Sequence, residues 1–116
     1  MPRRLVEAVV EHCGTCPERL IAVISPCAGP GAYEIRDDVR TQVTQAMGDA
    51  EPFLARTNGH MYLNLPRLIS VQLAFAGVPS ASIHGPQHCS ITDDRFHSVR
   101  RNGPNSGHAG LVVGWV

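Results

Sequence analysis

The residues whose chemistry is most concentrated lie in one stretch, 88–107, near the carboxyl end of the chain. This stretch holds the thiol of Cys89, the imidazoles of His88 and His97, and the adjacent guanidinium groups of Arg100 and Arg101. An aspartate pair and several prolines, asparagines and glycines lie among them, which predicts a loop. Binding and catalytic groups are often carried on loops that regular elements hold in place. The stretch is therefore the first candidate for a functional site.

Cys89 is a candidate nucleophile. Pairing of its thiol with His88, His97 or His108 would produce a reactive thiolate. His88 is a poor partner, because neighbouring residues of a strand point to opposite faces. A buried, inert cysteine is the alternative, and the sequence leaves both possibilities open.

The dipeptide Arg100-Arg101 is suited to anion binding. The planar guanidinium fork binds phosphate or carboxylate through two parallel hydrogen bonds. The alternative is that one arginine is a solvated surface charge and the other pairs with Asp93 or Asp94. The sequence contains no lysine, which excludes lysine-nucleophile and Schiff-base chemistry.

A second group of possible metal ligands lies near the amino end. His12, Cys13 and Cys16 are close in sequence, but a structural zinc site needs four ligands, usually with a second pair at similar spacing. Cys27 and Cys89 are isolated, so that second pair is missing. We expect packed thiols at a helix end rather than a metal site.

The segment Gly29-Pro30-Gly31 lies between a predicted strand and a predicted helix, where backbone amides can hold a phosphate. It matches neither the P-loop nor the complete GxGxxG pattern. We therefore expect a plain turn.

Length, charge and cysteine content limit the class of protein. A chain of 116 residues predicts one domain, 1–116. The formal net charge of zero argues against nucleic acid or an anionic membrane as a partner, and no apolar window is long enough to predict a membrane span. With no signal-peptide pattern at the start, four cysteines favour reduced thiols and a cytoplasmic location.

Apolar periodicity and turn residues predict alternating helices and strands. The predicted helices are 2–13, 37–47 and 66–77, and the predicted strands are 19–25, 60–65, 78–84 and 108–116, with an irregular segment at 48–59. This alternation predicts an α/β (mixed α+β) fold, a single layered domain.

Short motifs follow one another along the chain from about residue 2 to residue 115. They are ISPC (24–27), YEI (33–35), YLNL (62–65), QL with AGV (72–78), CS (89–90) and FHSVRRNG (96–103). In this order they resemble the YfiH-like or laccase-domain family, also called multicopper polyphenol oxidases. The corresponding family segments read IGPC, YEV, YLDL, QL with AGV, CT and FFSYRRDG.

The resemblance implies a mixed α/β fold and purine nucleoside phosphorylase activity, with adenosine deamination as a further activity and polyphenol oxidase or laccase as the older label. Purine nucleoside and phosphate are the implied substrates. In phosphorolysis, phosphate attacks the anomeric carbon of ribose, which requires an anion site and electrostatic support for the leaving purine. The implied catalytic residues are Cys89 and Arg100, and the implied anion- or substrate-binding residues are Arg101, Tyr33, Glu34 and Ser98.

The chain also departs from the family pattern. The family holds zinc or copper through two histidines and one cysteine in QVH, ADC and HAGWRG segments, and this sequence contains none of them. The resemblance is therefore to the carboxyl-terminal half, with no metal ligands expected in this chain. Local departures are His97 for Phe, Val99 for Tyr, Asn102 for Asp and His108 for Arg.

These departures lead to one expectation about activity and one alternative. We expect an enzyme domain that needs a missing amino-terminal half or a partner subunit to be active. The alternative is a non-catalytic domain that acts as a binding or assembly module.

Overall fold

The fold is taken from a computed structural model, which describes residues 1–112. The helices are α1 (Pro2–Cys13), α2 (Asp37–Met47), α3 (Leu65–Phe75) and the short α4 (Val99–Asn102). The strands are β1 (Ala22–Val23), β2 (Glu34–Ile35), β3 (Leu54–Thr57), β4 (His60–Leu63) and β5 (Ile83–His84). Single 3-10 turns cover Pro17–Arg19, Glu51–Phe53 and Ser80–Ser82.

The middle of the chain forms an antiparallel sheet with the strand order β2-β4-β3. Its hairpin β3–β4 pairs Thr57 with His60 and turns through Asn58 and Gly59. Both turn residues have positive φ angles, 51° and 78°, which is the geometry of the two-residue turn that Asn-Gly favours. Strand β2 adds to the other side of β4 and leads directly into α2.

The larger hydrophobic core joins this sheet to α2 and α3. Its buried side chains are Ile35, Val43, Ala50, Phe53, Leu63 and Leu68. Helix α2 begins with Asp37 and Asp38, whose carboxylates complement the positive end of the helix dipole. Because Ile35 belongs to this core, β2 and the residues just before it are held in place against α2 and α3.

A smaller core joins α1 and α3 to a second sheet, in which β1 and β5 run parallel. Val6, Leu73 and Val78 are its buried residues, and Ala22 and Ile83 pack against them from the two strands. An isolated parallel bridge between Cys27 and Cys89 continues the same pairing beyond the strand ends. This bridge positions the start of the 88–107 stretch.

The predicted mixed α/β fold is confirmed, and so are the predicted helices 2–13 and 37–47. The predicted helix 66–77 corresponds to α3, one residue earlier at its start and two shorter at its end. The predicted strands 19–25 and 78–84 are wrong over most of their length, because each pairs over only two residues, and residues 80–82 form a 3-10 turn instead.

Strands β2 and β3 and helix α4 were not predicted, and one prediction falls partly outside the described residues. Strand β2 pairs over only Glu34 and Ile35, too short a run for a sequence pattern to show. Strand β3 lies within the segment 48–59, where its mostly exposed side chains lack the apolar alternation of a half-buried strand. Helix α4 is too short for periodicity to show. Residues 108–112 form no strand, and residues 113–116 of the predicted strand 108–116 lie outside the described part of the chain.

Candidate functional site

Arg101 organises the loop that follows Cys89. Its Nη1 donates hydrogen bonds to the carbonyl oxygens of Ser90, Ile91 and Asp93 at 2.9, 3.1 and 3.0 Å. Its Nη2 donates to the carbonyl oxygen of Phe96 at 2.5 Å. The loop backbone thus folds around one guanidinium group. Anion binding by Arg101 remains a prediction, but both of its terminal nitrogens already donate hydrogen bonds to backbone carbonyls.

Helix α4 directs the neighbouring arginine elsewhere. Ser98 is buried, with 7% of its surface exposed, and its hydroxyl accepts the backbone N–H of Arg101 at 3.3 Å, which caps the helix. Arg100 lies one residue before Arg101, about 100° around the helix. Its Nη1 donates to the carbonyl oxygen of Glu34 at 3.0 Å, and its guanidinium carbon lies 5.0 Å from the ring centroid of Tyr33, which is cation–π geometry.

A cleft of about 340 Å³ opens beside Arg100. Arg36 and Asp38, both exposed, line this cleft together with Arg100. Sequence reasoning missed Arg36, although it directly follows the YEI motif that supplies Tyr33 and Glu34. The complete lining is Glu34, Ile35, Arg36, Asp38, Val39 and Arg100.

The sulfur of Cys89 sits among hydrogen-bond donors. The backbone N–H of Gly29 donates to Sγ at 3.1 Å. Burial alone would raise the pKa of this thiol, but hydrogen bonds from Thr92, Gly29 and Ile91 outweigh burial and hold the pKa below its usual value. For Cys27, burial and the nearby Cys89 both raise the pKa. Cys89 therefore has more thiolate character than Cys27.

Gly29-Pro30-Gly31 forms the turn that the sequence predicts. The backbone N–H groups of Ala32 and Tyr33 both lie 3.3 Å from the carbonyl oxygen of Gly29. The amide of Gly29 is used by Cys89, so it is not presented to a ligand. This turn therefore supports the thiol and leads into β2.

No thiolate–imidazole pair forms in the part of the chain that the structure describes. None of His88, His97 and His108 is hydrogen-bonded to Cys89 within residues 1–112. His88 Nδ1 instead lies 3.3 Å from Oδ2 of Asp93. A role for Cys89 in catalysis would therefore rest on its hydrogen-bonded sulfur and not on a histidine base.

The loop has an ion pair of its own. Arg95 contacts Asp93 through Nε at 2.9 Å and Nη2 at 2.7 Å. Hydrogen bonds from Arg95 lower the pKa of Asp93 from 3.8 to about 2. The alternative considered for Arg100 or Arg101, a pair with Asp93 or Asp94, is not what the structure shows.

The described residues do not fit a protein-held zinc or copper ion. Between residues 1 and 112, no three His, Cys, Asp or Glu side chains lie close enough together to hold a metal. Cys13 and Cys16 are exposed free thiols at and after the end of α1. Likewise, none of the described helices is long and apolar enough to span a bilayer.

Comparison with known proteins gives consistent matches. The chain is 37% identical over 114 residues to a purine nucleoside phosphorylase of Xylella fastidiosa, covering 97% of this chain and 43% of the relative. It is 31% identical to a purine nucleoside phosphorylase of Pseudomonas aeruginosa, covering 93% and 45%. An adenosine deaminase from an unknown prokaryotic organism is 32% identical, with 90% and 42% covered. The chain thus spans under half the length of these curated relatives.

Solved structures share the fold. YlmD from Geobacillus stearothermophilus superposes with a TM-score of 0.80 at 25% identity, covering 91% of this chain and 40% of that one. The hypothetical protein YfiH of Bacillus licheniformis gives 0.77 at 25% identity, with 88% and 40% covered. A sequence profile described as multi-copper polyphenol oxidoreductase laccase matches residues 1–115. The chain therefore belongs to the multi-copper polyphenol oxidoreductase laccase family, to which the YfiH-like resemblance pointed.

Proposed function

We propose that this chain supplies the phosphate-binding wall of a purine nucleoside phosphorylase site, which becomes active when the part of the fold that it does not span is also present. The observation that carries the proposal is the placement of Arg100 at an open cleft. Its guanidinium is fixed by the carbonyl of Glu34 and the ring of Tyr33, with Arg36 on the same cleft. Curated relatives named purine nucleoside phosphorylase support it.

The fixed guanidinium has donors to spare for an anion. A guanidinium has five N–H donors, and Arg100 uses one of them on Glu34. The others, together with Arg36, suit the oxygens of phosphate as it approaches the anomeric carbon. Because the arginine is already oriented, little ordering remains to be done when phosphate binds. Asp38, on the same cleft, is a hydrogen-bond acceptor suited to ribose hydroxyls.

The remaining predicted residues receive supporting roles in this proposal. Arg101 and Ser98 hold the loop and the start of α4, so they position Arg100. Cys89 lines a second cleft, of about 350 Å³, formed with Gly29 and neighbouring residues, and Arg100 is not part of its lining. A direct part in the reaction for Cys89 is therefore the least supported of the predicted roles.

The experiment measures phosphate-dependent release of hypoxanthine from inosine. The 116-residue chain is co-expressed with the segment of the Xylella fastidiosa relative that lies outside the match, and the chain alone is assayed in parallel. We expect release only when both parts and phosphate are present. Arg100→Ala should lower kcat/KM about 100-fold, the usual order for loss of one charge-stabilising donor.

Arg3→Ala is the matched control, because Arg3 is an exposed arginine paired with Glu7 on α1. It should leave the rate unchanged. Full activity of the Arg100→Ala complex would refute the proposed phosphate site.

The relative named adenosine deaminase favours a second reaction at the same site. Conversion of adenosine to inosine is followed in the same complex, without phosphate. Deamination that survives Arg100→Ala while phosphorolysis is lost would assign the arginine to phosphate alone. Loss of both would assign it to the nucleoside.

A non-catalytic role is the alternative. It is favoured by the match to only 43% of the relative's length and by the lack of a three-ligand metal group within residues 1–112. A complex that forms but turns over neither inosine nor adenosine would favour this binding or assembly role.

A further inference from the structure

One face of the parallel sheet β1–β5 is exposed to solvent. Side chains alternate across a strand, so Ala22 and Ile83 lie on the face that packs against the smaller core. Val23 and His84, which are register partners, lie on the opposite face. Val23 is 68% exposed, and Ile21, two residues earlier, is 74% exposed. Parallel sheets are normally covered on both faces, so this exposure is unusual.

The exposed face is continuous with a groove along α1. The groove, of about 530 Å³, is lined by residues of 1–9 on the helix side and of 20–25 on the strand side, with Ile69, Leu73 and Val78 of the smaller core completing its lining. Leu5, on its helix wall, is 62% exposed. Apart from Ser25, the side chains that line the groove are apolar. We call Leu5, Ile21 and Val23 with this groove the open β1 face.

Known proteins show what kind of occupant to expect. The two solved structures reproduce this fold, with TM-scores of 0.77 and 0.80, but this chain covers only 40% of each. The curated relatives likewise extend over more than twice the matched length. In these proteins the same arrangement of helices and strands therefore occurs together with a large further piece of polypeptide.

We propose that the open β1 face docks the polypeptide that corresponds to the unmatched part of the curated relatives, through an apolar surface that covers Ile21 and Val23. The lining has no charged side chain, so the complementary surface must itself be apolar. Strand β1 has one strand neighbour among the described residues, so its other edge is open to an added strand. The inference rests on the proposed function only in taking the same second piece as partner.

The test measures association and not turnover. The 116-residue chain, carrying an affinity tag, is co-expressed with the unmatched segment of the Xylella fastidiosa relative, and the purified material is sized by light scattering. We expect a 1:1 complex in which backbone amides of 20–24 exchange more slowly than in the chain alone. Val23→Asp should weaken association about 30-fold or more, as expected for a central apolar contact.

Phe75→Asp is the matched control, because Phe75 is 79% exposed and lies outside the groove lining. It should leave association unchanged. Since Val23 is exposed, the Val23→Asp chain should unfold at the same urea concentration as the wild type. A fusion of the two parts through a flexible linker gives a second readout by hydrogen exchange at 20–24.

Four results would overturn the inference. The first is that the chain is recovered alone and its amides exchange no more slowly in the fusion. The second and third are that Val23→Asp does not weaken the complex, or that Phe75→Asp weakens it equally. The fourth is that this chain forms a homodimer that Val23→Asp dissociates. The proposed function fails separately. A complex weakened by Val23→Asp that releases no hypoxanthine would refute the function and leave the docking face intact.

Discussion

Replacing Arg101 with alanine is predicted to destabilise the protein more than replacing its neighbour Arg100. The Arg101 side chain donates four hydrogen bonds to backbone carbonyls of the loop, whereas Arg100 donates one. Arg101 is exposed, so water takes over part of the lost bonding. At the lower end of the usual range, about 0.5 kcal/mol a bond, Arg101→Ala should cost about 2 kcal/mol and Arg100→Ala about 0.5 kcal/mol.

Urea unfolding and thermal melting measure the difference. For a domain of this size, about 2 kcal/mol corresponds to a fall in Tm of roughly 8 °C. Hydrogen exchange should accelerate over 90–97 in the Arg101→Ala variant. Arg101→Lys should recover less than half of the loss, because an ammonium cannot reproduce the planar fork.

Two results would contradict this role of Arg101: an Arg101→Ala variant that unfolds within about 0.5 kcal/mol of the wild type, or complete recovery of stability in Arg101→Lys. Either result would mean that the loop does not depend on the guanidinium. The contrast with Arg100 supplies the internal control, since both residues are arginines in one short helix.

Three further predictions concern Cys89, its neighbours Gly29 and Cys27, and the Asp93–Arg95 pair in the loop after Cys89. Gly29→Ala would place a Cβ 2.9 Å from the Cβ of Cys89, so it should cost about 1–3 kcal/mol in urea unfolding, and an unchanged midpoint would contradict the close approach. Iodoacetamide at pH 7 should modify Cys89 before Cys27, because the pKa of Cys89 is lowered and that of Cys27 is raised; peptide mass spectrometry showing the reverse order would contradict this. Arg95 lowers the pKa of Asp93 from 3.8 to about 2. Their pairing therefore stabilises the fold fully at pH values above 3.8, and this stabilisation is lost as the pH falls through about 2. Arg95→Gln should return that pKa toward 3.8 in a carboxyl NMR titration, and an unmoved pKa would count against the pair.

Local signals in the sequence were sufficient for two of the main helices. Pro2 in the first turn of α1 and Gly14 at its end, with φ of 62°, are the residues that such helix ends favour. The acidic first turn of α2 worked in the same way. In both helices the deciding interactions lie within a few residues, so a single sequence contains them.

The strands depended on tertiary pairing, which the sequence does not show. The apolar run 19–25 predicted a long strand, but only Ala22–Val23 pair with β5. Strand β3 carries Arg56 and Thr57 on an exposed edge, so no alternation marks it. Its pairing is specified by the Asn58-Gly59 turn, a signal that was present in the sequence and was not used.

The candidate site shows the same limit. The motifs suggested Tyr33, Glu34 and Arg100 separately, and the structure brings them into contact over 66 residues of chain. The sequence could not separate the roles of the two adjacent arginines, because only the direction of α4 sends one toward Glu34 and the other into the loop. Arg36 was missed because it lies just outside the YEI motif, and only the structure shows that it lines the cleft at Arg100.

The Michaelis constant for phosphate, measured with inosine saturating in the complex of this chain with the unmatched part of a relative, tests the account most directly. If Arg100 holds the attacking phosphate, Arg100→Ala should raise this constant about 10- to 100-fold, with the constant for inosine nearly unchanged. An unchanged constant for phosphate, or equal turnover by the 116-residue chain alone, would contradict the account.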